Sequence, residues 1–326
     1  MSSAVVTSLV DSYRQVFIYM GIPILSFGLV GGIFNILVFL SLQTFRQSSC
    51  ASYLTVMSLL NLGQLITGLL SRILITGYDI DFTRTSLFYC KFRLFFLQVS
   101  TGSSLGCICL ATIDQYFATC ARPRWQQWCN IHVSRRILLG LIVIFVIEQS
   151  PCMIVYDHRM LSVTSNETIC VSTSIDFDKF NIYFNSVVLA NVIPLTITST
   201  FGVLIYRNIQ QLSYRTVPFV RQELDKQLNS MVLILIFCIN MMLLPQLIVY
   251  FIVVYGNIQD SRARAQLNLA YAITLCLYYL FFASPFYIYM IVSERFRRQF
   301  VYVIFQMHIN RYRPQRVAPN VIFNLT

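Results

Sequence analysis

Arg72, Arg93 and Glu148 are ionisable, yet each lies within or at the edge of a long apolar stretch. Asp114 closes another such stretch and is followed at once by Gln115 and Tyr116. A charge at membrane depth is costly, so it is rare, faces a protein interior or a polar cavity, and usually serves function. Two guanidinium groups facing one cavity suit an anionic or carboxylate-bearing ligand, or an acidic peptide end, because a guanidinium presents a planar fork of N–H donors to two oxygens. The alternative is that Arg72 or Arg93 snorkels to lipid headgroups or pairs with Glu148. Catalysis finds no support: His132, His158 and His308 fall in loops or the tail, and no metal triad or nucleophile–base pair is visible. The sequence therefore reads as a non-enzyme with no cofactor and no bound metal.

The elements that must position these groups follow from composition. Of 326 residues 56% are apolar and 11% charged, against roughly a quarter charged in soluble domains. Such a chain cannot surround itself with a water-facing shell. Charge-free runs occupy 16–42, 51–71, 94–113, 137–156 (broken only by Glu148), 180–206, 227–259 and 265–293. Each reaches the ~20 residues a helix needs to cross the hydrocarbon, and none shows the alternation of a barrel strand. The expected fold class is an all-α membrane protein, a seven-transmembrane helix bundle. The first run lacks a preceding Lys/Arg cluster and is too long for a leader, so it reads as a retained span.

Seven crossings put the termini on opposite sides. One set of connections with the tail holds fifteen Lys and Arg; the other set with the N-terminus holds eight. Positive residues mark the cytoplasmic side, so residues 1–15 are expected to be an extracellular N-terminus, 16–293 the membrane domain, 294–307 an amphipathic juxtamembrane helix and 308–326 a cytoplasmic tail of a plasma-membrane protein. The net charge of +11 is then mostly an inner-leaflet bias and calls for membrane lipids, not nucleic acid. Of ten cysteines, Cys90 and Cys170 fall on the outer, oxidising face, where a bridge is expected. Asn166-Glu167-Thr168 is a glycosylation sequon in the same outer loop.

Cys90 precedes Gln115 by 25 residues, the spacing that rhodopsin-like G-protein-coupled receptors keep between the disulfide cysteine of helix three and the arginine of their Asp-Arg-Tyr motif. Asp114-Gln115-Tyr116 resembles that motif with its arginine replaced. Gly32 and Asn35 resemble the helix-one pair, Asn61 stands where the family has an Asp, and Pro194 and Pro245 match the prolines of helices five and six. Ser284-Pro285 is similar to the Asn-Pro pair of helix seven. The resemblance spans the chain and implies a seven-helix receptor for an extracellular ligand, coupled to a heterotrimeric G protein by movement of helix six. It also implies an eighth helix, with Phe296, Phe300, Ile304 and Met307 on one face.

The resemblance places Leu97 where amine receptors carry an Asp, which disfavours a monoamine, and maps Gln98, Gln246, Tyr250 and Tyr278 to pocket-lining positions. Its departures matter as much. Gln115 cannot pair with Asp114 or with Asp225 at the base of helix six, so raised basal activity or altered coupling is expected. The family's helix-six tryptophan is Leu243, its helix-seven tyrosine is Ile288, and Asn61 leaves no carboxylate for a sodium site, although Ser104 still matches that site's helix-three member. Tyr287 and Tyr289 flank Ile288 and offer a phenol if the register slips. A chemosensory ligand-gated channel or a transporter remains the rival class; a transporter calls for repeated halves and paired ion-binding groups, which the chain lacks.

Overall fold

The seven apolar runs form seven helices long and apolar enough to cross a membrane: α1 (Ala4–Ser41), α2 (Ser49–Gly77), α3 (Leu87–Thr119), α4 (Ile131–Val155), α5 (Ile175–Gln211), α6 (Leu228–Tyr255) and α7 (Ser261–Ala283). The computed structural model describes residues 2–41, 43–120, 123–160, 168–212 and 219–306, and the side chains of 212–227 lie outside that description. In hydrocarbon each segment must satisfy its own backbone donors and acceptors, which selects the helix. Short polar residues start the helices where the apolar runs begin. Ser86 Oγ accepts from the Tyr89 amide at 3.3 Å, Asn130 Oδ1 from His132 at 3.0 Å and Ser293 Oγ from Phe296 at 3.2 Å, each satisfying a donor that the first turn leaves unpaired.

The first helix begins well before its charge-free run. Its 38 residues, at about 1.5 Å each, give a rod of about 57 Å, so most of the segment expected to be a terminus is helix continuous with the first span, apart from a turn at Met20. The cause is apolar spacing: Val5, Val6, Leu9 and Val10 prolong the greasy face, with only Asp11 and Arg14 interrupting it. This extension lies along α7 and the end of α2. Phe17 is fully buried there beneath Tyr13, with ring centroids 5.4 Å apart, and Arg14 Nε donates to the Gly77 carbonyl at 2.6 Å.

Two helices are locally widened toward the same end of the bundle. Residues Leu65–Leu70 and Ile73–Gly77 of α2, and Phe180–Val192 of α5, are π-helical. Each π turn inserts a residue and rotates the remainder of its helix, a distortion often found at functional sites. Between α4 and α5, β1 (Tyr156–Met160) and β2 (Thr168–Ser172) form an antiparallel hairpin.

Close helix approach depends on small residues, as membrane bundles require. A Cβ on Gly102 of α3 would overlap the Phe145 ring of α4, and one on Gly106 would meet Leu141 at 2.8 Å, whereas Gly140 faces open space. Gly102→Val is therefore expected to destabilise the protein by about 2 kcal/mol, read as a lower thermal midpoint in detergent. Gly140→Ala should leave that midpoint unchanged or slightly raised.

At the end opposite the hairpin, Ser284 interrupts α7, and the chain continues as helix Pro285–Val292. The expected amphipathic helix is α8 (Glu294–Val301), followed by a π turn at Tyr302–Gln306. Its apolar face docks on the bundle. Phe296 is buried against Phe39 and Tyr289, with centroids 5.6 Å from each, and Phe300 sits 5.2 Å from Phe34. Arg297 Nη1 donates to the Met290 and Ile291 carbonyls at 3.0 and 2.8 Å, satisfying acceptors that the preceding helix leaves open. Met307 lies outside the described residues.

Candidate ligand site and signalling face

The two arginines converge. Arg72, between the π turns of α2, meets the phenol of Tyr279 on α7, with Tyr271 of α7 and Tyr13 of α1 beside it. Arg93, one turn along α3 from Cys90, donates its Nε to the Thr67 carbonyl of α2 at 3.3 Å and lies within electrostatic reach of Arg72, Tyr279 and Tyr89. Tyr89 in turn bonds Ser71 of α2, hydroxyl to hydroxyl, at 2.9 Å. Neither arginine forms an ion pair with a described carboxylate. Asp81, the acid nearest Arg93, is already engaged: Oδ1 accepts from the Thr83 amide at 2.9 Å and its hydroxyl at 2.5 Å, and Oδ2 faces Arg84 Nε at 3.2 Å. The Arg72 Nε is buried without a partner. A guanidinium that snorkelled to the headgroups would instead carry its donors into the interface.

The remaining candidates occupy distinct places. Leu97 of α3 lies against Gly68 of α2, where Tyr279 also arrives, so it abuts the arginine region as an apolar wall. Tyr278 hydrogen-bonds Thr101 of α3 and stacks edge-on to Tyr279 and Phe282 at 5.7 and 5.1 Å. Tyr250 of α6 hydrogen-bonds Ser186 of α5, and its ring centroid lies 6.5 Å from that of Tyr271. Gln246 is buried with its Oε1 unpartnered, and Gln98 is half-buried.

Glu148 belongs elsewhere. Its Oε2 accepts from Gln149 Nε2 at 2.6 Å, and Gln149 Oε1 accepts from Cys152 Sγ at 3.4 Å. Cys152 bonds Asn181 of α5, which also bonds Tyr156. This polar seam joins α4 to α5, and Glu148 pairs with neither arginine. The sequence reading missed Tyr13, Tyr271 and Tyr279. The available signal was the seven-residue spacing of Tyr271 and Tyr278, two helical turns, and the four-residue spacing of Tyr13 and Phe17.

The loop over this end is pinned three ways. The expected bridge is present between Cys90 and Cys170, with Cα atoms 5.8 Å apart. A His158 ring nitrogen lies 2.7 Å from the Thr83 carbonyl, and Thr168 Oγ1 donates to the Arg84 carbonyl at 2.6 Å. Asn166 lies outside the described residues.

At the opposite end, Asp114 Oδ2 accepts from Ser49 Oγ of α2 at 2.7 Å, and Cys129 Sγ donates to the Asp114 carbonyl at 3.3 Å. Gln115 is buried, 3% exposed, with its Oε1 unpartnered. Tyr116 meets Phe201 of α5 at 5.3 Å. Asp225 lies in the helical run leading into α6, its side chain among those not described. Pro245 sits within α6 beside the buried Leu243. Ser284 Oγ bonds only locally, to the Phe281 carbonyl at 3.4 Å, while Pro285 opens the final helix of the bundle.

Two of the motif asparagines bond hydroxyls of neighbouring helices. Asn61 Oδ1 accepts from Ser104 Oγ, joining α2 to α3, and Asn35 Nδ2 donates to Ser58 Oγ at 2.6 Å. Ile288 faces the core, Tyr289 is buried against Phe39 and Phe296, and Tyr287 donates outward to the Phe27 carbonyl at 2.9 Å.

Seven membrane helices, a disulfide tying the α3 mouth to a β-hairpin and a docked eighth helix define a multi-pass membrane receptor of the seven-helix class. Residues 34–283 match the 7 transmembrane receptor (rhodopsin family), and the chain belongs to that family. Its members are G-protein-coupled receptors that generally bind extracellular ligands and G proteins and are generally not enzymes. No curated protein matches the chain significantly in sequence.

Proposed function

We propose that this receptor lies in the plasma membrane with its N-terminus outside, binds an anionic small molecule or peptide end at Arg72 and Arg93, and signals to a heterotrimeric G protein. The observation that carries the reading is the pair itself: two guanidinium groups from different helices, near each other, bordered by phenols and without an ion pair to a described acid. The excess of Lys and Arg on the Asp114 side supports the orientation. Gln98, Gln246, Tyr250 and Tyr278 are then secondary contacts deeper in the bundle, and Glu148 is a structural group of the α4–α5 seam.

Ligand binding outside favours a state in which α6 swings about Pro245, by differential affinity for two conformations. The receiving surface includes Asp114, Gln115, Tyr116 and Asp225, with Ser284 and Pro285 as the α7 hinge. Arg124, Arg135 and Arg136 and the exposed Trp125 and Trp128, 40% and 64% accessible, border it and also suit anionic lipid headgroups.

The test is expression with each G-protein class and a library of carboxylates, phosphates and acidic peptides, with glycosylation at Asn166 as the topology marker. For any agonist found, Arg72→Gln should weaken potency by about 100-fold, as expected when one partner of a buried charge pair is lost. Ion currents without G-protein signalling, together with an unglycosylated Asn166, would favour the channel.

A further inference from the structure

Placing two like charges together in a low-dielectric interior is unfavourable unless something neutralises them. Around Arg72 and Arg93 the described side chains are rich in donors and poor in acceptors. Each guanidinium offers five N–H groups, of which Arg93 commits its Nε to Thr67 and Arg72 leaves its Nε buried and unpartnered. Tyr279 hydrogen-bonds Arg72, with Tyr271 and Tyr13 beside it, and Asp81, which acts on Arg93 only at a distance, is bonded to Thr83 and Arg84. Space is limited as well. Leu97 and Tyr279 close on Gly68 at 2.8 and 3.0 Å from where a Cβ would stand, and the extension of α1, anchored by Arg14 to Gly77, brings Tyr13 to the side. A small acceptor of charge −1 with no directional demand satisfies this arrangement.

We propose that Arg72 and Arg93, with the phenols of Tyr13, Tyr271 and Tyr279, bind a small inorganic monoanion, chloride under extracellular conditions, which the signalling ligand displaces. The idea rests on the arginine pair forming one site, as the proposed function does, but it makes a separate demand: the receptor without agonist is stabilised by halide. Chloride also weakens the apparent potency of any anionic agonist, because both need the same donors.

The test uses purified full-length receptor in detergent, unfolded by heat with a thiol-reactive dye. The buried thiols of Cys50, Cys107, Cys152 and Cys276 report the transition. Sodium gluconate is exchanged for sodium chloride at constant ionic strength of about 0.15 M, so that general screening is unchanged. Chloride should raise the midpoint by about 3 °C, saturably, with bromide acting alike. Arg93→Gln should abolish the shift and raise the midpoint in gluconate, because removing one guanidinium relieves the repulsion; a merely structural arginine would lower it. Tyr13→Phe should reduce the shift while preserving the fold. Equal wild-type midpoints in chloride and gluconate overturn the proposal, even if the arginine variants fail to fold, and so does a shift that survives both Arg72→Gln and Arg93→Gln. Agonist responses that persist without any chloride effect would remove the counter-ion alone; a chloride effect with no anionic agonist would leave the ion site and remove the ligand class.

Discussion

Gln115→Arg should lower agonist-independent signalling by about tenfold. The native chain leaves the motif position with a neutral amide whose Oε1 is buried and unpartnered, and Asp114 turns instead to the Ser49 hydroxyl at 2.7 Å. A neutral hydrogen bond contributes about 1 kcal/mol, whereas bonds to a charged group contribute roughly 1.5–3 kcal/mol. By resemblance to the family, an arginine here reaches Asp114 and, at rest, Asp225 at the base of α6. The resting state gains that difference and the active state does not. The measurement is nucleotide exchange on each G-protein class in membranes without agonist, normalised to surface receptor. Basal exchange that is unchanged or higher in the variant for every class would show that Gln115 does not loosen the resting state.

Cys170→Ser should reduce surface receptor severalfold and lower the thermal midpoint of what remains. The bridge closes a separation of 80 residues, for which loop entropy in water gives about 4.5 kcal/mol. The intervening chain crosses the membrane twice, in α3 and α4, so the unfolded state is already confined and about 2–3 kcal/mol is the better expectation. The His158 and Thr168 bonds to the loop between α2 and α3 retain part of the hairpin's position. Removing His158 as well should therefore cost more than the sum of the single changes, since each substitution removes the other's fallback. Surface labelling and melting of Cys170→Ser, His158→Ala and the double variant decide it. An additive double variant would show that the hairpin is not held cooperatively.

Much of the architecture was legible before any coordinates. Charge-free length located all seven helices, the cysteines on one face paired as expected, and the spacing of Phe296 and Phe300 anticipated the docked side of α8. What length cannot report is azimuth. A scan for charges finds Arg72, Arg93 and Glu148 at membrane depth but leaves open whether the arginines share a cavity or pair with Glu148; rotation about three helix axes decides that the two converge and the third faces the α4–α5 seam. The π turns flanking Arg72 make this harder, because each shifts the phase of the residues beyond it. Tyrosines carry no charge, so Tyr13, Tyr271 and Tyr279 gave no comparable signal although they border the arginine pair.

The sequence by itself determined the class of solvent, the number of crossings and the order of the motif positions, because hydrocarbon imposes a minimum apolar length and excludes unpaired charge. Only the tertiary structure decided which polar groups meet. Helix rotation, the continuous α1 extension and the placement of Ile288 and Tyr289 all arise from packing between segments far apart in the chain, where contact depends on complementary shape and not on local composition.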